Sequence, residues 1–270
     1  MTALPLATPV CAGALRGDDW QARVARAFSR AAPHYAERAV AQRRMAETLL
    51  SQLPENAEEV LDLGCGPGEL AAHLAARFGP RCTVIGLDLA PGMLEVARRT
   101  HGEAARWLCG DAAALPLDEA SQDLVVSNLA VQWCPDLDAV MAELRRVLRP
   151  GGRALINTLA PGTLAEVDHA WSRPGQPADL LGFRDAARHH GAARGAGFRH
   201  LDCREQMLQF HYPDLAAVMA SIKGIGAQTS RPGAQLTRGD LARAAHRYEA
   251  QREPQGLPVT YRLLTLELYA

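Results

Sequence analysis

Between residues 59 and 159 short apolar runs alternate with amphipathic stretches, and this alternation constrains the fold of the 270-residue chain more than any other feature. The runs are Glu59–Leu63, Cys82–Asp88, Ala105–Gly110, Gln122–Ser127 and Arg153–Leu159. Between them the pattern predicts a helix over Glu69–Phe78, stopped by Gly79-Pro80, and another opening at Pro91, where a missing amide proton costs little. A third, Leu137–Leu148, sets Leu137, Met141, Leu144 and Leu148 on one face and ends at Pro150-Gly151-Gly152. Strands that return through helices run parallel, and a parallel sheet is covered on both faces. Leu201–Tyr212 reads as a sixth strand, and Arg262–Leu268, with its alternating leucines, as a terminal one. The expected class is α/β.

With 48% hydrophobic residues the chain can build one substantial core with an accessory cap. The sequence divides into a disordered tail over 1–18, an amphipathic helical cap over 19–53, and a main domain over 54–270. Within that domain 161–200, rich in Gly, Pro, Arg and His, and 213–258 are assigned as cap insertions. A formal charge of −1 offers no global attraction to nucleic acid or to a membrane surface. No window reaches the ~18 apolar residues of a membrane span. The first fifteen residues lack the positive start of a signal peptide and contain Pro5 and Pro9, so a cytoplasmic protein is expected. The six cysteines, at 11, 65, 82, 109, 134 and 203, form no CxxC pair. No metal site is expected from that spacing, and the thiols read as buried and reduced.

The sharpest local signal is Leu61-Asp62-Leu63-Gly64-Cys65-Gly66-Pro67-Gly68-Glu69, a glycine-rich turn between the first strand and its helix. Such a turn lets backbone approach a ligand closely. A dinucleotide fingerprint would place glycine at position 69, where this chain has Glu69. Asp62 beside the turn would repel a pyrophosphate and suits the ammonium group of a methionine moiety. Asp88 ends the second strand, where an acid can accept both ribose hydroxyls or cap the helix opening at Pro91. Asp111 follows the third strand, where a carboxylate can take the adenine amino proton while the Ala112 amide faces the ring. Three acids at three successive strand ends point to a nucleoside site.

This arrangement resembles the class I S-adenosylmethionine-dependent methyltransferases over about residues 55–160. The resemblance implies a Rossmann-like, seven-stranded sheet whose last strand is antiparallel, with S-adenosyl-L-methionine as cofactor. It assigns Asp62 to methionine, Asp88 to ribose and Asp111 to adenine, with Gly64, Cys65, Gly66 and Gly68 forming the loop. Asn128 and Ala112 join that set. Met93 and Leu115 either touch the adenine or simply pack in the core.

At the fourth strand end stands Ser127-Asn128-Leu129-Ala130-Val131-Gln132-Trp133-Cys134. The D/N-P-P-Y/F box of base-methylating DNA enzymes is absent, as is any concentrated basic face with interleaved aromatics. No His or Glu in this segment offers itself as a base, which an alcohol or phenol acceptor would need. A carboxylate needs none, since with a solution pKa of about 4 it is an anion at pH 7. Other small acids, phenols and quinone precursors stay open as acceptors, as does a cofactor-binding regulatory or scaffold protein without transfer activity.

Longer strings narrow this. Ala27–Tyr35, Ser127–Cys134, Ser221-Ile222-Lys223-Gly224-Ile225-Gly226-Ala227 and Leu257-Pro258-Val259-Thr260-Tyr261 resemble the malonyl-[acyl-carrier protein] O-methyltransferases of biotin synthesis. The resemblance runs from about Val24 to the C-terminus and implies esterification of the free carboxylate of a malonyl thioester, on a carrier protein or on CoA. Tyr35, Gln132, Trp133 and Lys223 read as the acceptor pocket, with Tyr35, the candidate catalytic residue, able to hydrogen-bond either the cofactor's methionine carboxylate or the substrate. An acidic carrier would be met by basic patches. Arg23, Arg26 and Arg30 share a helical face with Arg43 and Arg44 nearby, and Arg184, Arg188, Arg194, Arg199 and Arg204 form a second stretch.

Overall fold

A computed structural model describes residues 20–173, 178, 180–223 and 237–270, with the side chains of Lys223 and Arg238 outside the described set. The expected tail over 1–18 lies outside the described residues. Seven strands form one sheet in the order β3-β2-β1-β4-β5-β7-β6. They are β1 (Glu59–Leu63), β2 (Thr83–Asp88), β3 (Arg106–Cys109), β4 (Gln122–Asn128), β5 (Leu148–Leu159), β6 (His200–Tyr212) and β7 (Leu257–Tyr269). Strands β1 to β5 pair in parallel, and β7 runs antiparallel between β5 and β6.

The chain steps outward from β1 to β2 and β3, then crosses back to place β4 on the other side of β1. That reversal opens a crevice beyond the carboxyl ends of β1 and β4, where ligands of such sheets bind. Three helices return the chain between the inner strands: α4 (Glu69–Phe78), α5 (Pro91–His101) and α6 (Leu137–Val147). The apolar face read from sequence holds, with Leu137, Met141 and Leu144 all 0% exposed. They pack with Leu61, Leu63, Val125 and Ile156 on one face of the sheet. Val60, Val84, Leu124 and Leu155 pack with Leu74 and Leu94 on the other.

Two expectations shift. Pro150-Gly151-Gly152 does not separate helix from strand, because β5 already begins at Leu148. Leu148 pairs with Gln122, the register slips, and Arg153 pairs with Leu124, so the Pro-Gly-Gly run forms an irregularity inside the strand. The stretch ahead of Pro54 is not one helix. It splits into α1 (Trp20–Ala31), a 3-10 turn over Ala32–His34, α2 (Tyr35–Arg38) and α3 (Val40–Leu50). Pro33 sits in that turn, where its missing amide proton stops the helix of α1 from continuing. The later helices are α7 (Ala165–Trp171), α8 (Ala186–Gly195), α9 (Leu215–Lys223) and α10 (Arg238–Glu249). Residues of α3, α7, α9 and α10 share a third apolar cluster with β7, which includes Met45, Val167, Val218, Tyr248 and Val259.

α3 is fastened to the sheet by buried polar groups. Asn157 on β5 is 0% exposed and donates through Nδ2 to the Met45 carbonyl at 2.7 Å and to Asn128 Oδ1 at 3.1 Å. Asn128 Nδ2 donates in turn to the Gln42 carbonyl at 3.1 Å, and Thr265 Oγ1 to Asn157 Oδ1 at 2.8 Å. A buried amide left without partners costs about 1–3 kcal/mol, so this network fixes where α3 sits. Cys65, Cys82, Cys134 and Cys203 are free.

Candidate active site

Two cavities meet over the carboxyl ends of β1 and β4. The first, about 760 Å³ including its open mouth, is bounded by Gly64, Gly66, Asp88, Asp111, Ala112 and Asn128. Gln21, Val24, Phe28 and Tyr35 cover it from the N-terminal helices. The second, about 850 Å³ on the same measure, lies between α3 and α4 and holds Asp62, Cys65, Glu69, Gln42, Arg43 and His73. Both are lined by Tyr35, Gly64, Gly66 and Asn128, so these four residues mark the junction.

The glycine turn explains the join. Gly64 sits at φ +73°, and a Cβ there would stand 2.2 Å from the Ala130 Cβ, so only glycine lets the turn pass under the segment after β4. The amides of Gly64 and Cys65 donate to the Leu87 carbonyl at 2.7 and 3.0 Å, and the Gly66 amide donates to Asp88 Oδ2 at 2.9 Å. Gly68 plays another part. At φ +90° it packs on Trp107, lines neither cavity, and turns the chain into α4.

The three acids differ in their surroundings. Asp62 is 1% exposed, and neither carboxylate oxygen finds a hydrogen-bond partner among the described residues. Burial first, and the Asp88 charge second, push its pKa up to about 8; the Ala71 amide opposes this without completing a hydrogen bond. So shifted, the Asp62 carboxyl favours its neutral form at pH 7, in contrast to the standing negative charge expected from sequence. Asp88 is also raised by burial, yet it is held by two amides, Gly66 on Oδ2 and Ala90 on Oδ1 at 2.7 Å. It therefore braces the turn as well as facing the cavity, and each oxygen keeps a lone pair free. Asp111 accepts from Gln21 Nε2 at 2.7 Å and from the Ala113 amide at 3.0 Å.

Aromatic rings seat α1 over the first cavity. Trp20 stacks on Trp133 at 6.4 Å between centroids and donates Nε1–H to the Trp133 carbonyl at 2.8 Å. Phe28 meets Trp133 edge-on at 5.4 Å. The partly buried Tyr35 phenol has its pKa pushed up by burial, then by Asp88 and Glu69, so it stays an O–H donor. Leu129, between Asn128 and Ala130, holds φ +59°, a left-handed conformation uncommon for a branched residue, at the cavity wall.

Of the residues expected in the site, Tyr35, Asp62, Gly64, Cys65, Gly66, Asp88, Asp111, Ala112, Asn128 and Trp133 line one cavity or both. Gln132 does not. It is 8% exposed, and its amide is committed to the Leu129 carbonyl at 2.8 Å and the Thr158 hydroxyl at 3.4 Å. The side chain of Lys223 lies outside the described residues. Met93 lines the first cavity, whereas Leu115 packs in the core. Sequence reasoning missed Gln21, Val24 and Phe28, although their helical spacing was a signal, and on α3 it missed Gln42 and read Arg43 only as a docking cation. Arg184 and Arg188, read as docking cations, are engaged with the Cys134 and Pro135 carbonyls and with Asp138. Among the described residues no helix is long and apolar enough to cross a membrane, and no cluster of three His, Cys, Asp or Glu could hold a metal ion.

A family profile described as "Methyltransferase domain" matches residues 61–156. A malonyl-[acyl-carrier protein] O-methyltransferase of Hahella chejuensis is 38% identical over 251 residues, covering 91% of this chain and 89% of that protein. One from Serratia marcescens is 41% identical over 244 residues, covering 89% and 92%. A biotin biosynthesis bifunctional protein BioHC of Cellvibrio japonicus is 40% identical over 91% of this chain, which spans 49% of that longer protein. Among solved structures, the YcgJ protein of Bacillus subtilis matches with a TM-score of 0.61 at 19% identity, over 84% of this chain and 98% of that one. Haemonchus contortus phosphoethanolamine N-methyltransferase 2, solved with S-adenosyl-L-methionine, matches with a TM-score of 0.52 at 20% identity, over 83% and 51%. At those identities the two structures speak for the fold alone. With its glycine turn, its acids at successive strand ends and these relatives, the chain belongs to the malonyl-[acyl-carrier protein] O-methyltransferase family.

Proposed function

We propose that this protein transfers a methyl group from S-adenosylmethionine to the free carboxylate of a malonyl thioester, carried by an acyl carrier protein or by CoA. The product would be the methyl ester that primes pimelate formation for biotin in the cytoplasm. Esterification has physical sense there, because it removes a charge that is costly inside an apolar acyl tunnel.

One observation supports the cofactor assignment above all others: the buried, unpartnered carboxylate of Asp62 opens onto the same junction as Asp88 and Asp111. An orphaned acid is expensive unless a cation completes it, and a methionine ammonium is such a cation. The residues present therefore fit the cofactor. Asp62 would hold the amino group, Asp88 the ribose hydroxyls and Asp111 the adenine edge. When bound, the cofactor supplies an activated methyl group on a cationic sulfur.

The chain's own part is positioning. The junction of Tyr35, Gly64, Gly66 and Asn128 is where the two halves of such a ligand would join, so Tyr35 is assigned to donate its O–H toward an acceptor carboxylate. Its raised pKa makes it a donor and not a base. A carboxylate acceptor asks for no base, and the covering helices serve to exclude water and align two partners. Segments 19–53, 161–200 and 213–258 are assigned as the cap that does so. Trp133 holds α1 in place and walls the cavity.

Incubation with methyl-labelled cofactor and malonyl-carrier protein should label the acyl group as a base-labile methyl ester. Folded protein that binds S-adenosylhomocysteine yet leaves malonyl, succinyl and glutaryl thioesters unlabelled would reject the assignment.

A further inference from the structure

The amino-acid end of the cofactor is a zwitterion, and the assigned site accounts for only one of its two charges. Asp62 answers the ammonium. The carboxylate would enter a cavity whose wall already includes the acids Asp62 and Glu69, so it needs a cation close by. Two basic side chains line that cavity, Arg43 on α3 and His73 on α4. An imidazole offers one ring edge, whereas a guanidinium presents five N–H donors in a planar fork that matches a carboxylate.

We infer that Arg43 is the residue that grips the carboxylate of the cofactor's amino-acid end, so that Arg43 and Asp62 form a two-signed clamp across the second cavity. This inference rests on the cofactor assignment of the preceding section. Arg43 has a fixed root and a movable head. The neighbouring Gln42 carbonyl accepts from Asn128, and the Met45 carbonyl accepts from Asn157, so the helix beneath Arg43 is tied to β4 and β5. The side chain itself is exposed and spends one donor on the Ala36 carbonyl, leaving most of its fork unspent. Arg44, one position on, pairs with Glu47 on the surface and does not line the cavity. Arg43 therefore leaves the set of carrier-docking arginines expected from sequence.

The test uses titration calorimetry on the wild type, Arg43→Gln and Asp62→Asn with three nucleosides. S-Adenosylhomocysteine carries both charged groups, its decarboxylated analogue keeps the amine alone, and 5′-methylthioadenosine has neither. Arg43→Gln should weaken S-adenosylhomocysteine by about 10- to 100-fold, the range of a charge-assisted hydrogen bond. It should change the other two by about twofold or less. Asp62→Asn should weaken both amine-bearing ligands and spare 5′-methylthioadenosine. An equal loss for all three ligands in Arg43→Gln would mean a packing role and overturn the inference. Unchanged S-adenosylhomocysteine binding with a raised KM for the malonyl thioester would overturn it too, by giving Arg43 to the acceptor. Failure of the Asp62→Asn arm alone would strike the Asp62 assignment and leave Arg43 standing.

Discussion

The protonation of Asp62 makes cofactor binding a proton-releasing event at neutral pH. A buried carboxyl with a pKa of about 8 is about nine-tenths protonated at pH 7. Burial first, and the Asp88 charge second, penalise its ionised form in the empty site. An ammonium placed against it removes that penalty and expels the proton. The ligand's own α-amino group belongs to a free amino acid, whose carboxylate raises its pKa to about 9, above the peptide-terminal range, so it takes up almost no proton at pH 7 and only part of one at pH 9. Binding of S-adenosylhomocysteine should therefore release about one proton at pH 6, about 0.9 at pH 7 and about half a proton near pH 8, and consume a fraction of one by pH 9. Titration calorimetry in buffers of different ionisation enthalpy reads these numbers directly. Asp62→Asn should abolish the release at pH 6 and 7 and keep the uptake at pH 9. Asp88 is assigned to neutral hydroxyls, so the variant isolates Asp62.

The same shift fixes the sign of a stability effect. Between about pH 4 and pH 8 Asp62 keeps a proton in the folded, empty protein that it loses in the unfolded chain, so its contribution to stability should fall as pH rises through that window. Asp62→Asn should flatten the fall and raise Tm above pH 8. If wild type and Asp62→Asn release the same number of protons at pH 6, the ammonium does not sit against Asp62.

Three other outcomes are expected. Gly64→Ala should lower Tm and abolish S-adenosylhomocysteine binding, because its Cβ would stand 2.2 Å from that of Ala130. Adding Ala130→Gly should restore most of the stability, short of the roughly 1–2 kcal/mol of left-handed strain that remains. Asn157→Ala should cost about 2–4 kcal/mol by urea denaturation, since it leaves the Asn128 and Thr265 groups without their buried partner, and should weaken cofactor binding through α3. Arg26→Glu with Arg30→Glu, both exposed on α1, should raise KM for a malonyl carrier protein about tenfold at low salt and leave a malonyl N-acetylcysteamine thioester unaffected. Equal effects on both acceptors would exclude α1 as the docking face.

The parts of the fold that could be read from sequence are those where local pattern and global position agree. β1 was placed to the residue because its flanks are a loop and a glycine turn, and α4 because Gly79, at φ +80°, must end it. The three acids were legible because each stands at or just beyond the carboxyl end of a strand. What Asp62 lacks was not legible: partner atoms are supplied or withheld by tertiary packing, and nothing in Leu61-Asp62-Leu63 announces an orphan. Gln132 misled for the same reason. Its neighbours Asn128 and Trp133 face the cavities, but the 3-10 turn at Val131–Trp133 rotates Gln132 inward to Leu129 and Thr158. The Asn157 network joins residues about a hundred positions apart and left no trace in any short window.

An acceptor that is an anion must approach a cavity walled by acids, and the arrangement of those acids resolves the conflict. Asp88 shares its charge with the Gly66 and Ala90 amides, and Asp111 shares its charge with Gln21 and the Ala113 amide. Asp62 alone has no such donors, and there burial does the equivalent work by keeping the group protonated in the empty state. Near pH 7 a cation placed against it favours its ionised form, so the negative charge and its neutralising partner appear together. Each acid can thus recognise a positively charged or hydroxyl-rich ligand without presenting a bare carboxylate to the second, negatively charged one. The Tyr35 hydroxyl, kept protonated by burial beside Asp88, is the donor at the junction that the proposed function assigns to the acceptor anion.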